Sequence, residues 1–485
     1  MAWTTEQRYK RYENWTTDEI NQIKENIEKS PWHTSYHVEP QTGLLNDPNG
    51  FSYFNGKWIV FYQNFPFGAT HGLKCWVQLE SDDLVHFTET GVRVLPDTKL
   101  DSHGAYSGSA MQFNDKLFLF YTGNVRDENW VRHPYQIGAL LDKEGKLEKI
   151  DKVLIEQPKE ATDHFRDPQI FNYKGQSYAI VGGQTLDKKG FIKLYKAVEN
   201  NYTNWEEVGD LDFKNDNTAY MMECPNLVFI DETPVLLYCP QGLSKEVAPY
   251  DNIFPNMYKI GQSFDIAKTA IVDPSPLQNL DYGFDCYATQ AFNAPDGRVL
   301  AVSWLGLPDI AYPSDRFDHQ GIFSLVKELT LKKGKLYQYP VQAITSLRTD
   351  NSQTFANQAQ TTNCYELELE FTADSQAEIV LFADQEHKGL RIYFDIKNGQ
   401  VTIDRSEVGE QYALEFGTVR RCMIENQTTT ASIFIDKSVF EIFINKGEKV
   451  FSGRIFPHND QNGIFITEGN PTGTYYELDY GRKTN

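Results

Sequence analysis

The feature that most constrains the fold is a pair of apolar, aromatic-rich segments joined by a short polar turn, which recurs along the first two thirds of the chain. The first copy is centred on Asn55-Gly56, a strong hairpin signal. The equivalent turns begin at Asn55, Asn114, Lys174, Asp231 and Asp296, at intervals of 57 to 65 residues. Hairpins repeated at one period favour sheets arranged radially, an arrangement that leaves few exposed strand edges. We therefore predict an all-β chain that begins with a five-bladed β-propeller.

The same register predicts where the chemistry lies. Seven or eight residues before each turn, at the start of the first strand, stand Asp47, Ser107, Asp167, Glu223 and, in the fifth copy, Ala288 or Thr289. The innermost strands of a propeller line its central channel, so their starts converge on one mouth. Three carboxylates and a hydroxyl are therefore expected to share a pocket, as acid–base chemistry requires.

Composition argues against several classes of partner. The formal net charge of −21 disfavours nucleic acid and anionic membranes. No segment approaches the ~18 apolar residues of a membrane span, and the N-terminal residues show no signal-peptide pattern. The six cysteines are scattered without metal-binding spacing, so we expect reduced, buried thiols. We expect a cytoplasmic protein with neither a nucleic-acid nor a membrane partner.

The remaining segments define the domain organisation. A capping box at Thr16 to Glu19, followed by isoleucines on one face, predicts an amphipathic helix packed outside the propeller. Short alternating strands separated by turns in the C-terminal part indicate a β-sandwich, in which we find no convergent cluster of acids. The predicted divisions are an N-terminal helical extension (1–30), the propeller (31–335), a polar linker (336–357) and the sandwich (358–485).

Five motifs in fixed order resemble those of glycoside hydrolase family 32, the invertase and β-fructofuranosidase family. They are Asn46-Asp47-Pro48-Asn49-Gly50, Tyr106-Ser107-Gly108-Ser109, Phe165-Arg166-Asp167-Pro168, Glu223-Cys224-Pro225 and the segment 281–290. A sixth, around Asp436 and Glu441, is similar to a motif of the family's sandwich domain. The resemblance implies a five-bladed propeller followed by a β-sandwich. The reaction that it implies needs no metal or organic cofactor, since two carboxylates suffice.

The resemblance also implies roles for particular residues. Asp47 is the expected nucleophile, Glu223 the general acid/base and Asp167 the transition-state stabiliser. Retaining glycosidases hold the first two carboxyl groups about 5–5.5 Å apart. Two acids so close do not both ionise freely, so we expect Glu223 to hold a proton while Asp47 is ionised. The expected sugar contacts are Asn46, Gln63, Trp76, Tyr106, Ser107, Arg166 and Trp304, with Trp76 alternatively a core residue.

Several basic residues indicate the substrate. His71 and Lys74, in His71-Gly72-Leu73-Lys74, and the loop around Arg126 resemble the bacterial branch of the family that acts on sucrose 6-phosphate. A phosphate needs local cations in an acidic protein, and the candidate ligands are His71, Lys74, Arg126, Arg132 and His133. A plain invertase or fructan hydrolase, a fructosyltransferase and a non-catalytic carbohydrate-binding protein remain alternatives. The partner is a small sugar, and both a monomer and a homodimer remain open.

Overall fold

The computed structural model describes residues 3–481, and nearly all of its regular structure is β. Two α-helices come first, α1 (Thr5–Arg8) and α2 (Thr17–Ile27). The predicted capping box of α2 is confirmed, because the Thr16 hydroxyl accepts from the Glu19 backbone N–H while the Glu19 carboxylate accepts from that of Thr16. Ile23 and Ile27 bury one face of α2. Within residues 3–481, no helix is long and apolar enough to cross a membrane.

Each of the five repeats forms an antiparallel hairpin in a separate sheet. The only parallel pairing between strands of these five sheets, among the described residues, joins β1 to β21. The strands of this region are β1 (Gly43–Phe54), β2 (Lys57–Phe65), β3 (Cys75–Ser81), β4 (Phe87–Val94), β5 (Ala105–Phe113), β6 (Lys116–Arg126), β7 (Arg132–Leu141), β8 (Leu147–Lys149), β9 (Ala161–Tyr173), β10 (Gln176–Thr185), β11 (Gly190–Ala197), β12 (Trp205–Asp210), β13 (Met221–Ile230), β14 (Thr233–Gln241), β15 (Met257–Ile260), β16 (Ser263–Asp265), β17 (Ala270–Val272), β18 (Gln278–Asn279), β19 (Cys286–Asn293), β20 (Val299–Leu305), β21 (His319–Gln320), β22 (Ile322–Phe323), β23 (Lys327–Lys332) and β24 (Lys335–Pro340). The five hairpins are β1–β2, β5–β6, β9–β10, β13–β14 and β19–β20.

Polar side chains link the first strands of these sheets in a cycle. In each link, a backbone N–H of one first strand donates to a side-chain oxygen of another. The pairs, with the donor first, are Gly108 to Asn49 (2.9 Å), Ile170 to Ser109 (2.9 Å), Leu227 to Gln169 (3.1 Å), Ala291 to Asn226 (3.2 Å) and Phe51 to Gln290 (2.7 Å). The five accepting side chains are buried, where an unpaired polar group would be costly. The last bond returns to β1, so all five first strands are joined.

In the segment 336–357, which was predicted as a linker, residues 336–340 and 342–354 form strands and a 3₁₀ helix. Its first part belongs to β24, which pairs with β23 and completes the last of the five sheets. A 3₁₀ helix follows (Gln342–Leu347), and β25 (Arg348–Thr354) then pairs with β36 (Thr472–Leu478) of the C-terminal region. The turn at Lys333-Gly334 is thus a hairpin turn, and the alternating burial of β24 is that of a strand rather than a connection.

The predicted β-sandwich is confirmed. Two six-stranded antiparallel sheets bury a common core of aliphatic and aromatic side chains. Besides β25 and β36, their strands are β26 (Gln358–Gln360), β27 (Cys364–Phe371), β28 (Gln376–Ala383), β29 (Leu390–Asp395), β30 (Gln400–Asp404), β31 (Val419–Met423), β32 (Thr429–Asp436), β33 (Val439–Ile444), β34 (Lys449–Arg454) and β35 (Gly463–Glu468). The other 3₁₀ helices are Tyr12–Asn14, Val198–Asn200, Ile266–Lys268, Pro313–Phe317 and Leu414–Phe416.

Two buried acids of the sandwich meet at His37, which lies before β1, and this corrects the expectation that the C-terminal part has no convergent acids. His37 Nδ1 lies 3.0 Å from Asp436 Oδ2, and Nε2 lies 3.1 Å from Glu441 Oε1. The backbone N–H groups of Ser35, Tyr36 and His37 also donate to Asp436. We call His37, Asp436 and Glu441 the interface triad. It fastens the sandwich to the N-terminal region.

Candidate active site

A β-bulge at the start of each first strand positions the candidate residues. The extra residues lie at 46–47, 106–107, 167–168, 224–225 and 288–289. Bulges bend a strand and redirect side chains, and they are frequent beside active sites. Asp167 and Cys224 lie within these bulges at positive φ, +66° and +47°, a conformation that non-glycine residues adopt at a cost. The repeated bulge therefore directs functional groups from separate sheets toward one open pocket, which holds about 1260 Å³ including its mouth.

Asp47 lies in this pocket at the end of a chain of hydrogen bonds. Its Oδ1 accepts from Asn46 Nδ2 at 3.1 Å, and its Oδ2 accepts a short bond from the Ser107 hydroxyl. Burial and the charge of Glu223 raise the pKa of Asp47, while the Ser107 and Asn46 hydrogen bonds and the charge of Lys74 oppose that rise. The carboxylate is held in a fixed orientation with three neighbours that favour its charged form.

Asp167 and Glu223 face the same pocket as Asp47. Asp167 Oδ2 accepts from the backbone N–H of Cys224 at 3.0 Å, and the Cys224 sulfur lies 3.6 Å from Asp47 Oδ2 and 3.7 Å from Asp167 Oδ2. Burial raises the pKa of Asp167 to about 7; the charge of Arg166 opposes the rise, and the charges of Glu223 and Asp47 add to it. Asp47 and Asp167 thus have raised pKa values in the same pocket, each through burial and the charge of Glu223.

Glu223 is held from both sides. Arg166 Nη2 donates to its Oε1 at 2.5 Å, and the Tyr287 hydroxyl donates to its Oε2 at 2.6 Å. Arg166 in turn donates from Nη1 to His164 Nδ1 at 2.9 Å, and burial with the charges of Arg166 and Arg132 lowers the pKa of His164 to about 4. His164 is therefore a neutral acceptor that orients the guanidinium. Sequence reasoning assigned no role to His164 or Tyr287, although Tyr287 lies inside one of the family motifs.

The predicted sugar contacts Asn46, Gln63 and Ser107 form one buried network around Asp47. Asn46 Nδ2 donates to Gln63 Oε1 at 2.5 Å, and Gln63 Nε2 lies 3.4 Å from Ser107 Oγ. Lys74 Nζ donates to Asn46 Oδ1 at 2.5 Å, and burial lowers the pKa of Lys74 to about 7. Lys74 therefore lies beside the carboxylates, so the structure does not group it with the loop arginines as sequence reasoning did.

The structure separates the two candidate tryptophans. Trp76 is fully buried in the core between Phe61 and Tyr121 and does not line the pocket. Its Nε1 donates to the Tyr106 carbonyl at 3.0 Å, so its assignment as a sugar contact is wrong and the core alternative is correct. Trp304 does line the pocket, as does Tyr106. The Trp304 Nε1 group is buried and has no hydrogen-bond partner among the described residues.

A cationic group lies in the same pocket as the acids. Arg126 and Arg132 line it, and the Nε atom of each is buried without a hydrogen-bond partner within residues 3–481. The pKa of Arg132 is lowered by burial and by the charges of Arg166 and Arg126, while Tyr106 and Asp163, whose Oδ2 lies 3.9 Å from Arg132 Nε, oppose that change. His71 also lines the pocket, but burial and the charges of Lys74 and Arg8 hold its pKa well below its ordinary value, so it is neutral. His133 does not line the pocket, and its Nε2 lies 3.1 Å from Asp127 Oδ2.

Two further pocket residues, Arg8 and Tyr9, come from the N-terminal extension that sequence reasoning placed outside the propeller. Burial raises the pKa of Tyr9, as does its hydrogen bond to Tyr106, whereas the charges of Arg126 and Arg8 oppose the rise. Helix α2 does pack by its apolar face as expected, but the residues before it reach the pocket. The aromatic content of 3–15 was the available signal, since Trp3, Tyr9, Tyr12 and Trp15 are too many for a solvated tail.

A candidate metal cluster lies away from this pocket. Among the described residues, His33, Glu39 and His319 bring ligand-type atoms together. Both ring nitrogens of His33 already have partners at 2.8 Å, the Glu39 carboxylate and the Ile27 carbonyl. None of the three lines the pocket. The arrangement fits a hydrogen-bonded structural cluster.

The pocket thus combines one buried and two half-buried carboxylates, a fixed arginine and an adjacent group of cations. This combination suits acid–base and nucleophilic chemistry on a polar substrate. The whole-chain comparisons define its class. The family 32 N-terminal domain of the glycosyl hydrolases matches residues 37–340, and the family 32 C-terminal domain matches residues 334–479. The chain belongs to glycoside hydrolase family 32.

The chain is also similar along nearly its whole length to individual members of this family. The chain is 65% identical to a sucrose-6-phosphate hydrolase of Streptococcus mutans, with 98% of each chain covered, and 49% identical to one of Lactococcus lactis, with 96% and 97% covered. Its fold is similar to that of a solved sucrose-6-phosphate hydrolase from Lactobacillus gasseri, with a TM-score of 0.95, 41% identity and 99% of each chain covered. A family 32 β-fructofuranosidase of Bombyx mori matches with a TM-score of 0.83 at 26% identity, covering 97% and 99%.

Proposed function

We propose that this chain hydrolyses the β-fructofuranosyl bond of sucrose 6-phosphate, releasing glucose 6-phosphate and fructose with retention of configuration. The observation that carries the proposal is a single pocket that contains the Asp47–Asp167–Glu223 cluster together with the arginines of β6 and β7. The names of the relatives with 65% and 49% identity support it. Carboxylates alone would serve any fructoside, whereas two guanidinium groups whose buried Nε atoms have no hydrogen-bond partner among the described residues suit an anionic substrate.

In the first half of the reaction, Asp47 attacks the anomeric carbon C2 of the fructosyl unit while Glu223 protonates the glycosidic oxygen. The C2–O bond breaks, glucose 6-phosphate leaves, and a fructosyl ester forms on Asp47. Ser107 and Asn46 hold Asp47 in line for attack.

In the second half, Glu223 accepts a proton from water as that water attacks C2. The ester bond breaks, β-fructose is released, and Asp47 regains its charge. The ionised Asp167 stabilises the positive charge that develops on the sugar ring in both transition states. Arg166 and Tyr287 hold the Glu223 carboxyl in place throughout. Both halves of the reaction therefore use side chains of this pocket and one water molecule.

Sugar binding is assigned to the polar network and the aromatic wall around Asp47. Asn46, Gln63, Ser107 and Arg166 present donors and acceptors that suit fructosyl hydroxyl groups. Trp304 and Tyr106 supply apolar and π surface, and the unpaired Trp304 Nε1 is a spare donor. Of the two tryptophans expected to contact the sugar, we assign this contact to Trp304 and not to Trp76.

Phosphate binding is assigned to Arg126 and Arg132. Their buried Nε atoms have no partner among the described residues, and arginine binds phosphate with two parallel hydrogen bonds. His71 contributes as a neutral hydrogen-bonding wall rather than as a cation. Lys74 is assigned to the fructosyl side, because it contacts Asn46. His133 positions the loop through Asp127.

We further propose that the N-terminal region is a five-bladed β-propeller, with the catalytic acids at one mouth of its channel. The cycle of hydrogen bonds that returns from Gln290 to Phe51 supports five blades. The division that best fits the strand pairing is an extension to residue 30, the propeller to about 340 and the sandwich from 348. The family matches, which end and begin near 340, support this boundary.

We place the enzyme in the cytoplasm, because a charged sugar phosphate crosses an apolar bilayer poorly and is found where it is made. The net charge of −21 supports a small-molecule substrate rather than nucleic acid.

The direct test compares kcat/KM for sucrose 6-phosphate and sucrose, with glucose 6-phosphate and fructose measured as products. The proposal expects a preference of about 10- to 100-fold for the phosphorylated substrate, as for loss of one charge-assisted contact. Arg132→Gln serves as the matched variant and should lower only the value for sucrose 6-phosphate. Equal values in the unsubstituted enzyme would favour a plain invertase, and transfer of fructose to sucrose would favour a fructosyltransferase.

A further inference from the structure

The N-terminal segment before α2, residues 3–15, is attached to the wall of the active-site pocket by backbone and side-chain hydrogen bonds. We call it the arm. Leu73 N donates to the Arg8 carbonyl at 2.7 Å, and the Tyr12 hydroxyl donates to the Leu73 carbonyl at 2.8 Å. Arg11 Nη1 donates to the Ser102 carbonyl at 2.8 Å. The arm therefore has a defined seat on the pocket wall that leads to Lys74.

Two glycines make that seat possible. A Cβ on Gly72 would lie 2.5 Å from the Arg8 carbonyl oxygen, and one on Gly68 would lie 2.1 Å from the Trp3 ring. Neither distance is sterically possible, so only glycine permits this contact. Aromatic contacts reinforce it, with Trp15 stacked on Phe67 at 4.3 Å. The receiving surface is shaped for the arm.

The seated arm delivers Arg8 and Tyr9 into the pocket that also contains Arg126 and Arg132. Arg8 Nε donates to the His71 carbonyl at 2.6 Å, which fixes the side chain while its two terminal nitrogens have no carboxylate partner within the described residues. Tyr9 contacts Trp130 edge-to-face at 5.2 Å, and Arg126 lies over the same Trp130 ring at 5.6 Å. The arm and the β6–β7 loop therefore meet across the pocket.

We propose that Arg8, with the Tyr9 hydroxyl, completes the subsite for the substrate phosphate, so that the arm determines specificity for the phosphorylated sugar. This inference rests on the proposed function. Arg8 enters the pocket beside His71, whereas Arg126 comes from β6 and Arg132 from β7. The phosphate is therefore enclosed by cations carried on three separate segments. Three guanidinium groups with so few acidic partners suit a dianion better than a neutral sugar.

The experiment measures kcat/KM for sucrose 6-phosphate and for sucrose in Arg8→Gln, Arg8→Lys and the unsubstituted enzyme. Arg8→Gln should lower the value for sucrose 6-phosphate by about 10- to 100-fold, mainly through KM, because a charge-assisted hydrogen bond to a bound phosphate is lost. The value for sucrose should change by less than about threefold. Arg8→Lys, which keeps the charge without the planar fork, should recover part of the loss.

Arg11→Gln is the matched control. Arg11 belongs to the same arm and also binds a backbone carbonyl, but it does not line the pocket. Its replacement tests whether loosening the arm alone changes specificity. Inhibition by the product glucose 6-phosphate gives an independent binding measurement, and its Ki should rise in Arg8→Gln by the same factor as KM.

The outcomes separate the two proposals. If the unsubstituted enzyme shows no preference for sucrose 6-phosphate, the proposed substrate is wrong. If it shows the preference but Arg8→Gln keeps the same ratio, the substrate stands and the role of the arm is refuted. Equal losses on both substrates in Arg8→Gln, or an equal loss of the ratio in Arg11→Gln, would reduce Arg8 to a structural residue and would also refute the role.

Discussion

Two groups of buried carboxylates in this molecule differ in how they are compensated. In the interface triad, Asp436 accepts three backbone N–H bonds in addition to His37, and Glu441 accepts from His37 and from Leu325 N. Burial opposes ionisation of Glu441, but the charges of Lys327 and His37 lower its pKa overall. In the pocket, burial and mutual repulsion raise the pKa values of Asp47 and Asp167. Paired acids hold the fold together, whereas under-compensated acids retain reactivity.

The largest expected effect tests the reactive group. Asp47→Asn should lower kcat by about 10⁴-fold or more, because the nucleophile is removed while binding and shape are kept. The variant should be at least as stable as the unsubstituted enzyme, since one member of a repelling group becomes neutral. Steady-state kinetics and thermal unfolding measure both quantities. A marked loss of Tm would show that Asp47 has a structural role.

The converse substitution tests the interface triad. Asp436→Asn should lower the free energy of unfolding by about 3–5 kcal/mol, because the buried His37 loses its counter-charge and backbone donors face an amide. Chemical denaturation measures this loss. The kcat of the folded protein should stay within about twofold, since no residue of the interface triad lines the pocket. A large fall in kcat without a fall in stability would contradict the division of roles.

The pH dependence of stability sharpens the same contrast. Burial alone would lower the pKa of His37, but its hydrogen bonds to Asp436 and Glu441 raise it to about 9. A histidine whose pKa is higher in the folded state stabilises the fold to its full extent below its unfolded pKa of about 6.5. That contribution, of about 3 kcal/mol, is lost as pH rises from 6.5 through 9. Urea unfolding across this range should show the decline, and His37→Gln should remove it.

The smallest expected effect concerns the positioning of Glu223. Tyr287→Phe removes the 2.6 Å bond to Glu223 Oε2 and should lower kcat by about 10-fold with little change in KM, as for one hydrogen bond to a charged group. The pH profile of kcat should shift as well, because Tyr287 hydrogen-bonds a carboxyl group that takes part in the reaction. An unchanged profile together with unchanged kcat would remove Tyr287 from the machinery.

The fold and the acids could be predicted because both depend on local, repeated signals. Each hairpin turn is encoded by a few residues, as at Asn55-Gly56, and the common register places Asp47, Asp167 and Glu223 at equivalent strand starts. The segment 336–357 was predicted as a linker although much of it is strand, because the polar turn at Lys333-Gly334 has the same composition in a hairpin as in a domain boundary.

The remaining errors depend on long-range packing that local patterns do not encode. Arg8 reaches the pocket only because its segment contacts His71 and Leu73, far along the chain. Trp76 and Trp304 are both aromatic residues in strands, and only the direction of each ring toward core or pocket separates them. The interface triad joins His37 to residues about 400 positions away, a contact set by domain packing alone.

The most direct test of the account is the configuration of the product when methanol replaces water as the acceptor. A fructosyl ester forms on Asp47 and is then cleaved by methanol with Glu223 as the base, which makes two inversions at C2. The account therefore predicts that NMR detects methyl β-fructofuranoside, and that this product disappears in Asp47→Asn. Formation of the α-anomer would contradict the account, since it would mean that methanol attacks C2 directly and that Asp47 never bonds to the sugar.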